Sequence, residues 1–129
     1  MAIRVVQLGS PRARDEGVRI GTARRPPRGV KKEDYARLDY YDVWLPQLSP
    51  SAELLHRIKS GTITPAAWKA FERRFLGELA APDNARLLDL LAALSRSANF
   101  SIGCYCEDES RCHRSILRKV LQERGAVLG

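Results

Sequence analysis

The chain has 129 residues, of which 44% are hydrophobic and 29% charged, and this composition is typical of one globular domain with a core of its own. It contains no apolar run of transmembrane length and no hydrophobic leader, so we expect a cytoplasmic protein that does not bind membranes. The three cysteines are an odd number and lie within nine positions, which excludes a disulfide framework. We predict a single domain over residues 1–129.

The net charge of +7 is concentrated near the amino terminus, where residues 1–37 contain ten basic and four acidic side chains. A basic region of this kind attracts phosphates, nucleic acid or acidic partners over a distance of about 8 Å at physiological salt. An arginine-rich surface that only keeps the protein soluble explains the same charge equally well. The charge therefore indicates an anionic partner without identifying one.

Apolar strands near both ends of the chain enclose a helical middle. In chain order the predicted elements are strands over 2–8 and 18–22, helices over 51–59, from Thr64 to 81 and from 82 onwards, a strand over 99–106 and a final helix from about Ser110 to Arg124. This order predicts a small α/β sandwich with a central, mainly parallel sheet and flanking helices. We expect the strands 2–8 and 99–106 to pair and to be buried on both faces.

The segment 24–28, here called the arginine loop, reads Arg-Arg-Pro-Pro-Arg. Two consecutive prolines lack N–H donors and fix the backbone, so the segment cannot be a helix or an inner strand. We predict a stiff, exposed loop that presents Arg25 and Arg28 to an anion.

Four motifs in order resemble the domain of unknown function 488 family, also called YeaO-like, over nearly the whole chain. They are the arginine loop with Gly29 and Val30, the segments 44–51 and 68–75, and Cys104 followed eight positions later by Cys112-His113-Arg114. The last motif is similar to the Cys…Cys-His-Arg branch of that family. The resemblance implies an α/β fold and no particular activity.

All three cysteines lie between the strand 99–106 and the final helix. Cys104 and Cys106 are two apart on a strand and project from the same face, while Cys112 is expected at the start of the helix with Ser110 as its N-cap. Ligands of open α/β sheets usually bind at this edge, where the free N–H groups of the next helix point outwards. We therefore predict the functional site here.

Three interpretations of the cysteines are open. In the first, Cys112 is a reactive thiol or an anion-binding partner, and His113 and Arg114 orient a negatively charged ligand. A helix start and nearby arginines lower a thiol pKa, so Cys112 is then expected to be alkylated faster than the other two near neutral pH. In the second, Cys104, Cys106 and Cys112 bind zinc, with His113 a poor fourth ligand because adjacent helical residues diverge by about 100°. In the third, the cysteines are small buried hydrophobes.

The residues favour a site for an anion, either a phosphate-bearing small molecule or a segment of nucleic acid. The expected ligand-binding side chains are those of Cys104, Ser110, Arg114, Arg25 and Arg28, with Cys112 and His113 as catalytic candidates. His56 sits in the middle of a predicted helix and is expected to be structural.

The motifs also bear on the kind of protein. No Gly-x-Gly-x-x-Gly or P-loop pattern is present, which argues against dinucleotide and P-loop chemistry, and no cofactor is expected unless zinc is bound. A thiol-dependent transferase or hydrolase is the enzyme class that fits best. The alternatives are a non-catalytic nucleic-acid-binding module that uses the basic region, or a small zinc-binding protein.

Overall fold

The computed structural model describes all 129 residues and confirms the α/β class. The strands are β1 (Ile3–Gln7), β2 (Val18–Gly21), β3 (Val43–Trp44) and β4 (Phe100–Cys104), all parallel and in the order β1-β4-β2-β3. The helices are α1 (Ala52–Lys59), α2 (Pro65–Leu79), α3 (Pro82–Leu94) and α4 (His113–Glu123). None of these helices has the length and apolar character needed to cross a membrane.

The central position of β4 explains its sequence. All five of its residues are buried, and it pairs with β1 on one side and with β2 on the other. The prediction that β1 is buried on both faces is wrong, because β1 is an edge strand and only Ile3 in it is fully buried. Since all the strands are parallel, their carboxyl ends meet at one edge of the sheet.

Residues of β4 alternate between two different environments. Phe100 and Ile102 join Ile3 and Ile20 in the main core, a cluster of 16 buried residues to which all four helices contribute. Ser101 and Gly103 face the other way. A side chain at Gly103 would collide with Val6 and Leu8, because an added β-carbon would lie 2.8 Å from the carbonyl oxygen of Val6.

Two helices in the middle of the chain begin at side-chain caps. The hydroxyl of Ser51 accepts a hydrogen bond from the N–H of Leu54, and that of Thr64 accepts one from the N–H of Ala67. These bonds fix where α1 and α2 begin, and hence which of their side chains reach the edge of the sheet.

The predicted cap of the final helix is wrong. Ser110 lies in a short 3₁₀ turn (Glu109–Arg111), in which the carboxylate of Asp108 accepts from the N–H of Ser110. The chain is extended at Cys112, with φ −117° and ψ 150°, so α4 begins at His113 and its N-cap is Cys112. Asp108 caps the 3₁₀ turn, which ends at Arg111, and the helix begins only after this turn.

A buried ion pair closes the second face of the sheet. Glu16 and Arg19 form two hydrogen bonds of 2.7 and 2.9 Å, and the hydroxyl of Ser101 donates to the same carboxylate over 2.6 Å. Arg19 also donates to the carbonyl oxygens of Ser10 and Asp39. The network therefore fastens two long loops to the centre of the sheet.

We expect Glu16→Gln to destabilise the protein by about 3–5 kcal/mol at pH 7, because the variant leaves the buried charge of Arg19 without its partner. Burial raises the pKa of Glu16, but hydrogen bonds from Arg19 and Ser101 outweigh it and lower the pKa from 4.5 to about 2. The stabilisation by this carboxylate is therefore complete above pH 4.5 and is lost as the pH falls towards 2.

Urea unfolding of the wild type and the variant at several pH values measures this difference. The matched control is Asp15→Asn, because Asp15 forms an exposed ion pair with Arg4 and should contribute less than about 1 kcal/mol. Equal effects of the two substitutions at pH 7 would contradict the role given to Glu16.

Candidate functional site

A cleft of about 620 Å³ opens at the carboxyl edge of the sheet. Its walls come from the arginine loop, from α1, from the first half of α2 and from the segment that joins β4 to α4. These elements meet here because β2 and β4 are adjacent and parallel, so the loops that follow them leave the sheet side by side.

The three cysteines, here called the cysteine cluster, lie together in this cleft. Their sulfur atoms are all within 4.8 Å of one another, and no disulfide joins them. Cys104 and Cys112 are buried, with 7% and 2% of their surface exposed, whereas Cys106 is exposed. Three thiols at such distances could bind a metal ion.

The thiols differ in how readily they ionise. A hydrogen bond from Cys104, a second from Cys112 and the charges of Arg114 and Lys59 lower the pKa of Cys106. The pKa of Cys104 is raised by its hydrogen bonds to the other two sulfurs and by burial. The pKa of Cys112 is lowered, chiefly by its hydrogen bond with Cys104 and also by His113. Cys106 and Cys112 therefore ionise more readily than Cys104.

His113 is buried beside Cys112 and held in one orientation. Its Nε2 lies 2.7 Å from the carbonyl oxygen of Thr22, and because a carbonyl can only accept, Nε2 carries a proton. The ring also packs edge-on against Phe75. Its Nδ1 is left to face the sulfur of Cys112 at 3.7 Å. Cys112 is extended and only His113 is helical, so the 100° divergence expected for adjacent helical residues does not apply to this pair. His113 is still absent from the set of mutually close metal-binding atoms.

Arg114 is also buried, with 3% of its surface exposed, and it has no acidic partner. It donates one hydrogen bond to the carbonyl oxygen of Cys106, while its Nε has no partner. A buried guanidinium without a carboxylate is costly unless another negative charge lies near it. The predicted ligand-binding residue Arg114 thus does not line the cleft, and its guanidinium supports the loop at Cys106.

No Asp or Glu lines the cleft. Five basic side chains line it: Arg24, Arg25, Arg28, Lys59 and Arg111. The guanidinium of Arg24 is committed to the carbonyl oxygens of Ser49 and Pro50. The other four make no ion pair and donate no hydrogen bond within the protein. Arg25 and Arg28 thus line the same cleft as Cys112.

Tyr105 fixes the arginine loop to the cysteine-bearing segment. Its hydroxyl donates a hydrogen bond of 2.9 Å to the carbonyl oxygen of Arg25. Burial raises the pKa of Tyr105, so the hydroxyl keeps its proton and its role as donor well above neutral pH. The backbone N–H groups of His113 and Arg114, at the start of α4, donate to no atom of the protein.

Several residues of the cleft escape sequence reasoning. His56, expected to be structural, is exposed and lines the cleft together with Leu55, Ile58 and Lys59 of α1, and an apolar wall comes from Trp68 and Phe71 of α2. The helical spacing of 55, 58 and 59 indicates a shared face, but nothing local shows that this face borders a cleft rather than the core. Ser110 is exposed, and its hydroxyl donates to Asp108 rather than into the cleft.

The family comparison agrees with the order of motifs along the chain. The model of the family described as the active DUF488-N3 subclade matches residues 3–125. The chain belongs to the DUF488 family. No curated protein and no solved structure matches the sequence. In this DUF488 protein, Cys112 of the Cys-His-Arg motif lines the cleft and contacts His113. Arg114 of the same motif donates a hydrogen bond to the carbonyl oxygen of Cys106.

We expect Tyr105→Phe to loosen the arginine loop, because the variant loses the hydrogen bond to Arg25 while keeping the ring. Amide hydrogen exchange at Arg25 and Arg28 should become several-fold faster, and global stability should fall by only about 1 kcal/mol. Tyr40→Phe is the matched control, since the neighbouring Tyr40 packs against Tyr105 but its hydroxyl makes no hydrogen bond. Identical exchange in both variants would show that the hydroxyl of Tyr105 does not hold the loop.

Proposed function

We propose that this protein is an enzyme that binds a phosphate-bearing small molecule in the cleft and uses the cysteine cluster as its reactive centre. The observation that carries the proposal is the charge of the cleft: five basic side chains line it, no acidic one does, and four of the five are free of internal partners. Unpaired cations around one concave site favour an anionic ligand.

The size and the apolar wall support a small organic ligand. A volume of about 620 Å³ lies within the usual range for sites that enclose small molecules. Half-buried Trp68 is stacked on buried Phe71, with ring centroids 5.0 Å apart, and this pair forms an aromatic side of the cleft. An inorganic anion alone would leave this surface uncovered, so the ligand should combine a phosphate with an apolar or aromatic part.

The arginine loop suits the phosphate. Guanidinium groups bind phosphate oxygens in pairs, and Arg25 and Arg28 are held outwards by the two prolines between them. The hydrogen bond from Tyr105 keeps the loop at the cleft, so less ordering is needed when a ligand binds. The N–H groups without a partner at the start of α4 add the partial positive charge of a helix N-terminus.

The reactive part of the proposal places thiol-based chemistry at the base of the cleft. The sulfur of Cys112 contacts Nδ1 of His113, and the carbonyl oxygen of Thr22 orients the imidazole through Nε2. This is the arrangement of a nucleophile, a base and a group that orients the base. A transferase or hydrolase acting on the phosphate-bearing ligand fits these groups. The description of the subclade as active accords with an enzyme and names no reaction.

We expect the double variant Arg25→Ala, Arg28→Ala to bind phenyl phosphate, a probe with one aromatic ring and one phosphate, at least about 10-fold more weakly than the wild type, because two charge-assisted contacts are lost. Isothermal titration calorimetry at fixed salt measures the dissociation constant. Arg14→Ala is the matched control, since Arg14 is exposed in the same basic region but does not line the cleft.

The outcomes separate the proposal from the nucleic-acid alternative. Loss of affinity in the cleft variant with an unchanged control supports the small-molecule site. If phenyl phosphate does not bind, while a single-stranded oligonucleotide binds with a steep salt dependence and is weakened equally by both substitutions, the protein is a nucleic-acid-binding module instead.

A further inference from the structure

We propose that the cysteine cluster binds one zinc ion through the thiolates of Cys104, Cys106 and Cys112, with the fourth coordination position open to the cleft. This deepens the proposed function by naming a cofactor for the same site. Because all three thiolates are then metal ligands, the open coordination position replaces the free Cys112 thiol as the reactive group. Only the use of the open position by a phosphate-bearing ligand rests on that function. The binding of the metal does not.

The spacing of the sulfur atoms is close to that of a zinc site. Zinc holds thiolates at about 2.3 Å in a tetrahedron, which places neighbouring sulfurs about 3.8 Å apart. The three sulfurs here lie within 4.8 Å of one another, so a contraction of about 1 Å around an ion completes the geometry. Cys106 is exposed on the loop after β4 and can supply this movement, whereas Cys104 and Cys112 are fixed in the core.

The order of the ligands along the chain also suits a metal. Cys104 ends the central strand, Cys106 follows two residues later, and Cys112 is the N-cap of α4, so three separate backbone positions converge on one point. Thiols kept only as small hydrophobes need no such convergence, and an exposed Cys106 gains nothing from it. A bound ion makes use of all three.

His113 is the positioning residue of this centre. Its ring touches the sulfur of Cys112 and is fixed on its far side by the carbonyl oxygen of Thr22. The set of mutually close metal-binding atoms consists of the three sulfurs, so the imidazole orients a ligand rather than completing the set. Outer partners of this kind hold metal ligands in place in many sites.

The charges around the centre balance. Three thiolates and one Zn²⁺ carry a net charge of −1, which compensates the buried guanidinium of Arg114. No carboxylate lines the cleft to compete for the ion or to repel the thiolates. Lys59 and Arg111 line the same cleft as the three cysteines, so an anionic ligand held by these cations would be available to the open position.

Metal content and cobalt substitution test the proposal directly. The full-length protein, purified in a reducing buffer without added metal, is measured by mass spectrometry of its metals and then titrated with Zn²⁺ and Co²⁺. We expect one zinc per chain and, with cobalt, a near-ultraviolet thiolate-to-metal band that falls by about one third in Cys106→Ser, which lacks one of the three thiolates. Zinc affinity should fall more than about 100-fold in that variant, because losing a ligand exceeds the 10–100-fold cost of losing an outer partner.

Cys106→Ser is the decisive variant because Cys106 is exposed and its loss leaves the core intact. Circular dichroism confirms its fold. Glu107→Gln, next to it in the same exposed loop, is the matched control and should bind zinc as the wild type does. Wild-type protein with micromolar or weaker zinc affinity, or a Cys106→Ser variant with unchanged affinity, would overturn the proposal.

The open fourth position has its own measurement. Added imidazole should change the visible spectrum of the cobalt protein, and a spectrum that imidazole leaves unchanged would refute an open site. Failure of the anion proposal is distinguishable, since zinc can bind normally while phenyl phosphate does not bind at all. Conversely, phenyl phosphate binding that responds to Arg25 and Arg28 in a protein without zinc would reject the metal and keep the anion site.

Discussion

Thr22 is the point on which the arrangement of the site depends. Its N–H and its hydroxyl both bond to the carbonyl oxygen of Gly103, which ties the end of β2 to the central strand just before Cys104. Its own carbonyl oxygen then accepts from Nε2 of His113. Thr22 is fully buried and precedes the arginine loop by two positions. It thereby connects that loop to the two segments that carry the cysteines.

This junction separates the roles of two groups of charges. The buried pair of Glu16 and Arg19 satisfies itself on one face of the sheet and serves stability alone. At the carboxyl edge, in contrast, Arg25, Arg28 and the other free cations of the cleft have no internal partner. These four cations are exposed and solvated, so they contribute little to folding. In the proposed function they bind the anionic ligand.

Much of the fold could be predicted because local signals agree with it. Ser51 and Thr64 mark helix starts, and the apolar run from Phe100 identifies the strand that becomes the centre of the sheet. The two-residue strand β3 carries no periodicity and was not predictable. The edge position of β1 is set by the strand order, which only tertiary contacts determine.

The site was predictable in part for the same reason. The grouping of the cysteines follows from their closeness in sequence, and the approach of the arginine loop follows from parallel strands that share one edge. The false N-cap at Ser110 arose because Asp108 and Ser110 are both good cap residues, and the carboxylate of Asp108 accepts from the N–H and the hydroxyl of Ser110. His56 and Lys59 enter the cleft only through the packing of α1 beside it, which no local pattern records.

The most direct test of the account is an amide NMR titration of the ¹⁵N-labelled protein with phenyl phosphate. We expect saturable shifts confined to the arginine loop, to the segment 104–106 and to the free N–H groups of His113 and Arg114 at the start of α4. Shifts that follow the whole basic surface, including Arg14, or the absence of any shift at millimolar ligand would contradict a ligand site at the cysteine cluster.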